Sequence, residues 1–378
     1  MACDSTIATS IHAFSPEEWN RCFPGEAEDW SFYSACEAAG PPDFTWFYVA
    51  LREEGRLIAV APAFGTTYRL DTTLQGPLRR LTDRLYRLMP GLMSMRMLAF
   101  GSPVAETCHL GFAPHVAPAR RGELLGAMMA ALQAYGHRNG YHLIAVKDVP
   151  ERDMPVWRDR LAEGGYTRLS GLPTACLDLP YASFEDYLAS LSKATRKDMR
   201  RKMKALDELR IEQRRTIDDI VPAIEDLYQQ TVAHSELQFE HLPGAYFDEV
   251  TRQMAPRTSV MLYWAGNRLV AFNFMIESDG RLIDKYIGMD YDAVRRYNLY
   301  FNSWLVNVRY CIEAGIPIYQ SGQAFYGPKL RLGCRLHANW QYFRHRNAVL
   351  NATLRLVARV VALDRFDPAI AELTKAAA

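Results

Sequence analysis

The chain has 378 residues, enough for two domains of ordinary size. A hydrophobic share of 49% and a charged share of 23% are those of a soluble globular protein. A net charge of +1 argues against a protein built as a whole to coat nucleic acid, so any polyanion has to meet a local patch.

Residues 11–40 read as helical and aromatic, with Ser15-Pro16-Glu17-Glu18 as a helix start. TWFYVAL, the turn REEG and RLIAVAPAF predict a hairpin of two buried strands. Residues 66–100 mix Arg69, Arg79, Arg80, Arg84, Arg87 and Arg96 with Leu, Met and Tyr. A small-residue loop, GSPVAETCHLGF, precedes a helix over 122–140, the strand YHLIAVKDV, a polar helix and a Gly-Gly turn at 164–165. The second half opens on FEDYLASLSKATRKDMRRKMKAL, read as one long helix. Lys193, Lys197, Arg200 and Lys204 form one stripe of it, and Leu191, Met199, Met203 and Leu206 another.

After a helix around Asp219 to His234, three strands run as a meander: TSVMLYWA, RLVAFNFMIE and RLIDKYIGM. Gly266-Asn267 and Ser278-Asp279-Gly280 are their hairpin-type turns. The next helix carries Leu299, Tyr300, Trp304, Val308 and Ile312 at helical spacing and stops at Gly315 before Pro317. A short strand then feeds a loop that packs Gly322, Gly327, Lys329, Arg331 and Gly333 into twelve residues. A strand, a helix N-terminus and a cationic loop in that order suit a substrate carrying phosphates. Residues 348–366 read as a helix with Leu350, Leu354, Val357 and Val361 on one spacing and Arg355, Arg359 and Arg365 between them.

The order of elements repeats. Arg56-Leu57-Ile58-Ala59 opens the second strand of one hairpin, as Arg268-Leu269-Val270-Ala271 does in another. HRNGYHLIAV and IEAGIPIYQS are matching helix-Gly-strand units. A duplicated unit follows, with the extra residues falling in the first half, where the Arg/Met/Leu stretch lies.

That doubled order resembles the Fem-type branch of the GNAT acyltransferase superfamily, and most nearly the FemAB-like peptidoglycan biosynthesis/recognition family. The segments that carry the likeness are SLSKATRKDMRRKMKAL, LYQQT with GAYFDEV, YIGMDYDAVRRYNLYFNSW and AGIPIYQSGQAFYGPKLRLG. Gln320 stands where the family has an acidic residue, Gly322-Gln323 is kept, and Lys329 and Arg331 lie near the family's basic positions. The family's His-rich run reads here as Tyr297-Asn298-Leu299-Tyr300. The resemblance implies an α/β (α+β) fold of two tandem GNAT-like domains, each a mixed, mostly antiparallel sheet flanked by helices. The expected boundaries are 1–175, with an insertion at about 66–118, then 176–347, and a C-terminal amphipathic helix over 348–378.

The implied chemistry is acyl transfer to an amine by direct attack, which requires a neutral amine, a polarised carbonyl and a route for the lost proton. No GxSxG elbow or locally paired Cys and His suggests a covalent intermediate. Period 2 puts Asp284 and Tyr286 on one strand face, as base and hydrogen-bond donor, or else Asp284 pairs with Lys285 or Arg281. Glu106 and His109 form an acid–His pair in their loop, and His234 and Glu236 crowd another with Glu240 and His241; each group is a candidate base or a polar loop. No spacing there makes a metal site. For the donor, the resemblance points to Arg295, Arg296 and Asn298 at the start of the long helix. Gln323, Tyr326, Lys329 and Arg331 follow the last strand, where clefts form.

The expected donor is an acyl thioester, acyl-CoA or acyl carrier protein, with no cofactor permanently bound. The expected acceptor is a primary amine, a membrane-presented long-chain amine such as a sphingoid base among them, because Arg-fringed apolar stretches suit a bilayer surface. Two other readings stand: an aminoacyl-tRNA-dependent transferase acting on a peptidoglycan precursor or small metabolite, and a non-catalytic recognition protein. Seven scattered cysteines without a CxxC pair suggest a reducing compartment. The start MACDSTIATS lacks a basic-then-apolar leader, and no apolar run nears the roughly 18 residues of a span. A cytoplasmic location is expected, with peripheral contact at the inner membrane face.

Overall fold

The computed structural model describes residues 3–69, 94–235, 239–278 and 280–361. Two mixed sheets organise the chain. The first is built from β1 (Asp4–Ala8), β2 (Thr45–Glu53), β3 (Arg56–Arg69), β4 (Ser94–Phe100), β5 (Gly111–Phe112), β6 (Leu143–Pro150) and β7 (Thr167–Ser170). The second is built from β8 (Thr174–Asp178), β9 (Arg210–Arg214), β10 (Thr258–Ala265), β11 (Arg268–Ser278), β12 (Arg281–Met289), β13 (Ile318–Gln320) and β14 (Arg335–His337). The last strand, β15 (Asn339–His345), returns to the first sheet between β6 and β7, although it lies within the range 176–347 of the second unit.

The strand orders are β1-β2-β3-β4-β6-β15-β7, with β5 beside β3, and β14-β8-β13-β12-β11-β10-β9. Among the described residues each sheet contains one parallel pair, β4 with β6 and β12 with β13. A helix spans each crossover, Pro118–Arg138 in the first and Leu299–Glu313 in the second. The repeat read from RLIA and RLVA is therefore real, since β3 and β11 hold the same place in two meanders. The Arg/Met/Leu stretch extends the β3–β4 ladder at both ends, and its Arg79, Arg80, Arg84 and Arg87 lie outside the described residues.

Helices Trp30–Ala39 and Gly244–Gln253 pack against each other between the halves, where Phe32, Tyr33, Tyr246 and Phe247 are buried in one continuous core. Helix Val221–His234 crosses β12 so closely that a Cβ on Gly288 would lie 3.0 Å from the Leu227 backbone. A second core, with Met199, Trp304, Leu305 and Tyr319, lies on the opposite face of the second sheet. The long basic helix expected over 184–206 is two helices, Phe184–Ser190 and Lys193–Met203. Ser192 breaks it, because its hydroxyl accepts the Thr195 N–H and caps the second helix, a bond worth about 1 kcal/mol.

Candidate active site

Strand β12 explains the site. Its ladder with β11 pairs Met275 with Asp284 and Phe274 with Tyr286, leaving Lys285 as the extra residue of a bulge. A bulge breaks the period of 2, so Asp284 and Tyr286 do not share a face, and they are not a base–donor pair. Tyr286 packs its ring against Tyr228, Tyr246 and Phe247. Asp284 turns to the other face, where Tyr319 Oη donates at 2.6 Å, and Asn273 and Asn307 donate at 3.1 Å each. Burial pushes its carboxyl up to about 6 against those bonds. Asp284 thus ties the helix Leu299–Glu313 to the sheet, and forms no ion pair with Lys285 or Arg281 among the described residues.

Lys285 points toward the first half. Its side chain is 2% exposed, pairs with Glu28 and donates to the Val104 carbonyl at 2.6 Å. Burial opposes its charge, but Glu28 and Glu106 outweigh burial and raise its pKa. The Glu26–Glu28 loop is held from the second half by Arg257, which donates to Ala27 O at 3.1 Å and to Asp29 at 2.8 Å. Asp29 also caps the helix Trp30–Ala39. His109 is buried between these carboxylates, with Nε2 at 3.5 Å from Glu28 and 3.6 Å from Glu26, and Nδ1 at 2.6 Å from Tyr33 Oη. Burial works against its proton, yet Glu26 and Glu28 hold its pKa above the ordinary value. Glu26 is correspondingly held at about 2 by His109 in spite of burial.

Glu106 completes the pocket. Gln320 Nε2 donates to its Oε2 at 2.9 Å, and Arg281 donates to Gln320 Oε1 at 3.0 Å. Burial raises the Glu106 pKa, with Lys285 and Gln320 pulling the other way. Arg152, Thr107 and Ile283 line the remaining wall. The pocket opens where β12 and β13 part. Their parallel pairing covers Arg281–Ile318, Leu282–Tyr319 and Ile283–Gln320 and stops there. Gly322, at φ 78°, sits in that fork, and a Cβ on it would lie 3.1 Å from Glu106 Oε1.

The proposed donor contacts divide. Lys329 is buried, and its ammonium donates to the carbonyls of Ser321, Gly322 and Gln323 at 2.7, 3.0 and 3.2 Å. Burial lowers its pKa. These three bonds occupy the ammonium, so Lys329 holds the loop rather than a phosphate. Tyr326 donates to Pro173 O at 2.9 Å and Gln323 to Leu172 O at 3.0 Å, which makes both anchors of the same loop. Arg331 is exposed and lies 3.7 Å from Asp198. Arg296 pairs with Glu208 across the surface, whereas Arg295 is exposed with no carboxylate partner among the described residues. Asn298 is left-handed at φ 48° and starts the helix Leu299–Glu313. His234 stacks on Tyr291 and bonds Gln230 O, away from the pocket, while Glu236 lies outside the described residues.

A family model described as FemAB-like, peptidoglycan biosynthesis/recognition, matches residues 103–359. The chain belongs to the FemAB-like family. Membership places it among transferases of the acyltransferase type. Among solved structures it resembles FemX at a TM-score of 0.58 and 9% identity, covering 93% of this chain and 100% of that one. It also resembles a tandem GNAT protein from the clavulanic acid biosynthesis pathway, with a TM-score of 0.54, 11% identity, and coverage of 92% and 99%. L-PGS from Bacillus licheniformis aligns with a TM-score of 0.50, 12% identity, and coverage of 89% and 98%. These likenesses show the tandem GNAT fold. A Mycobacterium tuberculosis protein named for 8-amino-7-oxononanoate synthase 2 is 21% identical over 334 residues, 86% of this chain. The chain spans 43% of that relative's length.

In this FemAB-like chain the sequence pointed to Glu106 and His109, and the fold brings both into one pocket. It missed Glu26, Glu28, Tyr33 and Arg152, and read Lys285 and Arg281 only as ion-pair partners. A lysine inside the apolar strand RLIDKYIGM was the available signal, because a buried ammonium requires a carboxylate from elsewhere in the fold.

Proposed function

We propose that this chain is an N-acyltransferase that moves an acyl group from an acyl thioester, carried by CoA or an acyl carrier protein, to a primary amine. The observation that carries the reading is Glu106, a carboxylate with a raised pKa held by Gln320 at the fork of β12 and β13. A base poised above the ordinary carboxylate range takes a proton more readily from an ammonium-derived nucleophile near neutral pH. The amine nitrogen attacks the thioester carbonyl carbon, the C–N bond forms, the C–S bond breaks, and Glu106 accepts the amine proton. The departing thiolate is protonated from water. The pairing of β12 with β13 stops at Ile283 and Gln320, and on this reading a backbone N–H of the parted strands meets the developing oxyanion.

The acceptor we favour is an amine at the head of a hydrophobic chain, such as a sphingoid base. The Mycobacterium tuberculosis relative is named for making an aliphatic molecule with an amine beside a ketone, and that name is what turns the choice toward an aliphatic amine. The deciding experiment mixes the purified chain with a long-chain acyl-CoA and a long-chain amino alcohol. Amine-dependent thiol release and an amide of the summed mass are expected; release without amine, or silence with long and short acyl chains alike, overturns the thioester reading. A second reading, aminoacyl-tRNA-dependent transfer to a peptidoglycan precursor or small metabolite, draws on helix Lys193–Met203. Its Lys193 and Lys197 are exposed and have no carboxylate partner among the described residues. Retention of tRNA by the purified chain, lost steeply as salt rises, supports that reading instead.

A further inference from the structure

β15 ends beside a cavity of ≈ 340 Å³ lined by Arg344, His345, Arg346, Asn351 and Arg355, and by the turn Gly164-Gly165. The candidate active site lies at the other end of that strand, where Asn339 Nδ2 donates to Glu106 O at 3.5 Å. From Asn339 to His345 an extended strand covers about 20 Å, at roughly 3.3 Å per residue. The two cavities are therefore separate.

The side chains on its wall present donors. Asn347 N–H donates to His345 Nδ1 at 3.0 Å, which leaves the ring proton on Nε2. His345 is only 5% exposed, and its Nε2 has no hydrogen-bond partner among the described residues. His345 N–H in turn donates to Asn351 Oδ1 at 2.9 Å, so the Asn351 amide presents its Nδ2 hydrogens. Arg355 uses Nε on Thr167 Oγ1 at 3.4 Å, and none of Arg344, Arg346 and Arg355 has an ion-pair partner among the described residues. The single carboxylate on the wall, Glu163, is engaged by Arg160 at 2.9 Å. No Asp or Glu occurs from Cys334 to Leu363 to balance the arginines.

We propose that this cavity is a second binding site, for a soluble phosphate ester carrying at least two negative charges. Three arginines on one cavity, with no carboxylate left to neutralise them, match a multiply charged anion, and guanidinium forks suit phosphate oxygens. The His345 Nε2–H and the Asn351 amide add neutral donors from the floor of the same site. Its volume lies within the range of small-molecule pockets. The ligand is soluble rather than part of a bilayer. At 100° per residue Ala348, Asn351 and Arg355 share one side of the helix Ala348–Val361, opposite the exposed Val349, Leu350, Leu356 and Val357. A membrane meeting those apolar side chains does not reach the arginines. The inference does not need the proposed acyl transfer.

The test is equilibrium dialysis of the full chain against labelled inorganic pyrophosphate at physiological salt. Saturable binding is expected, displaced only weakly by acetate, which has a single charge. Arg344→Gln, Arg346→Gln and Arg355→Gln should each weaken it about tenfold, because each removes hydrogen bonds to a charged group. All three side chains are exposed, so these variants keep the fold. Ala348→Glu puts a carboxylate among the arginines, in the first turn of a helix where it suits the macrodipole. It should abolish binding with the melting temperature unchanged or raised. A chain that retains no pyrophosphate overturns the proposal. So does binding that survives Ala348→Glu or the three Gln variants, which places the anion elsewhere, or equal displacement by acetate and unlabelled pyrophosphate. Thiol release plays no part in the readout, so failure here and failure of the acyltransferase reading are separable.

Discussion

Glu106→Gln separates catalysis from stability in opposite directions. Glutamine keeps the shape of the side chain and still offers an oxygen to Gln320, whose Nε2 donates at 2.9 Å. Lys285 keeps Glu28 as its partner. The variant loses a proton acceptor, and a positioned general base contributes about 10²–10⁴-fold. A thousandfold fall in kcat corresponds to about 4 kcal/mol of barrier. Stability has the other sign. Burial raises the Glu106 pKa, so the folded state binds this proton more tightly than the unfolded one. The benefit is present at low pH and lost as pH rises through the folded value, above which the carboxylate is ionised and desolvated. The variant should therefore melt at or above the wild-type temperature. Amine-dependent thiol release as a function of pH, alongside thermal melting, checks both halves. The rising limb of the wild-type profile should lie above the ordinary carboxylate value of 4.5 and vanish in the variant. An unchanged kcat, or a loss of activity that tracks a loss of melting temperature, would falsify the assignment.

Lys285→Met removes the ammonium from Glu28, whose side chain is 5% exposed and keeps only His109 at 3.5 Å, and should cost about 3 kcal/mol in urea unfolding. Adding Glu28→Gln should restore part of that loss, and a second variant that only deepens it argues against the pair. Lys329→Met leaves three loop carbonyls without their donor and should cost roughly 1–3 kcal/mol; a raised KM for the donor with intact stability points back to a phosphate contact. For His109→Gln the pH dependence is diagnostic. The raised His109 pKa makes its contribution fully present below 6.5 and lost as pH rises through the folded value. The depressed Glu26 makes its own contribution present above 4.5 and lost as pH falls through about 2. The stability gap between wild type and variant should be widest between those ordinary values and close at alkaline pH; a gap independent of pH refutes the charged pairing.

Much of the architecture was legible in the sequence. Apolar alternation, turn residues and Gly315 before Pro317 define the meanders and the helix between β12 and β13, because these signals act over a few neighbours. The repeated RLIA and RLVA strands exposed the tandem design for the same reason. Glu106 and His109 stood out as an acid and a histidine in a short small-residue loop. Local pattern could not show the bulge at Lys285, since an extra residue in one strand is defined by pairing with another. That one residue sends Asp284 into a structural network and Lys285 into the pocket. Lys329 likewise resembled a free cation until the fold folded three carbonyls around it. The return of β15 to the first sheet, and the meeting of Glu28 with a lysine more than half the chain away, were decided by tertiary packing alone. Buried charges are stable only when paired and hydrogen-bonded, and the partners that pair them are chosen by topology, not by neighbours in sequence.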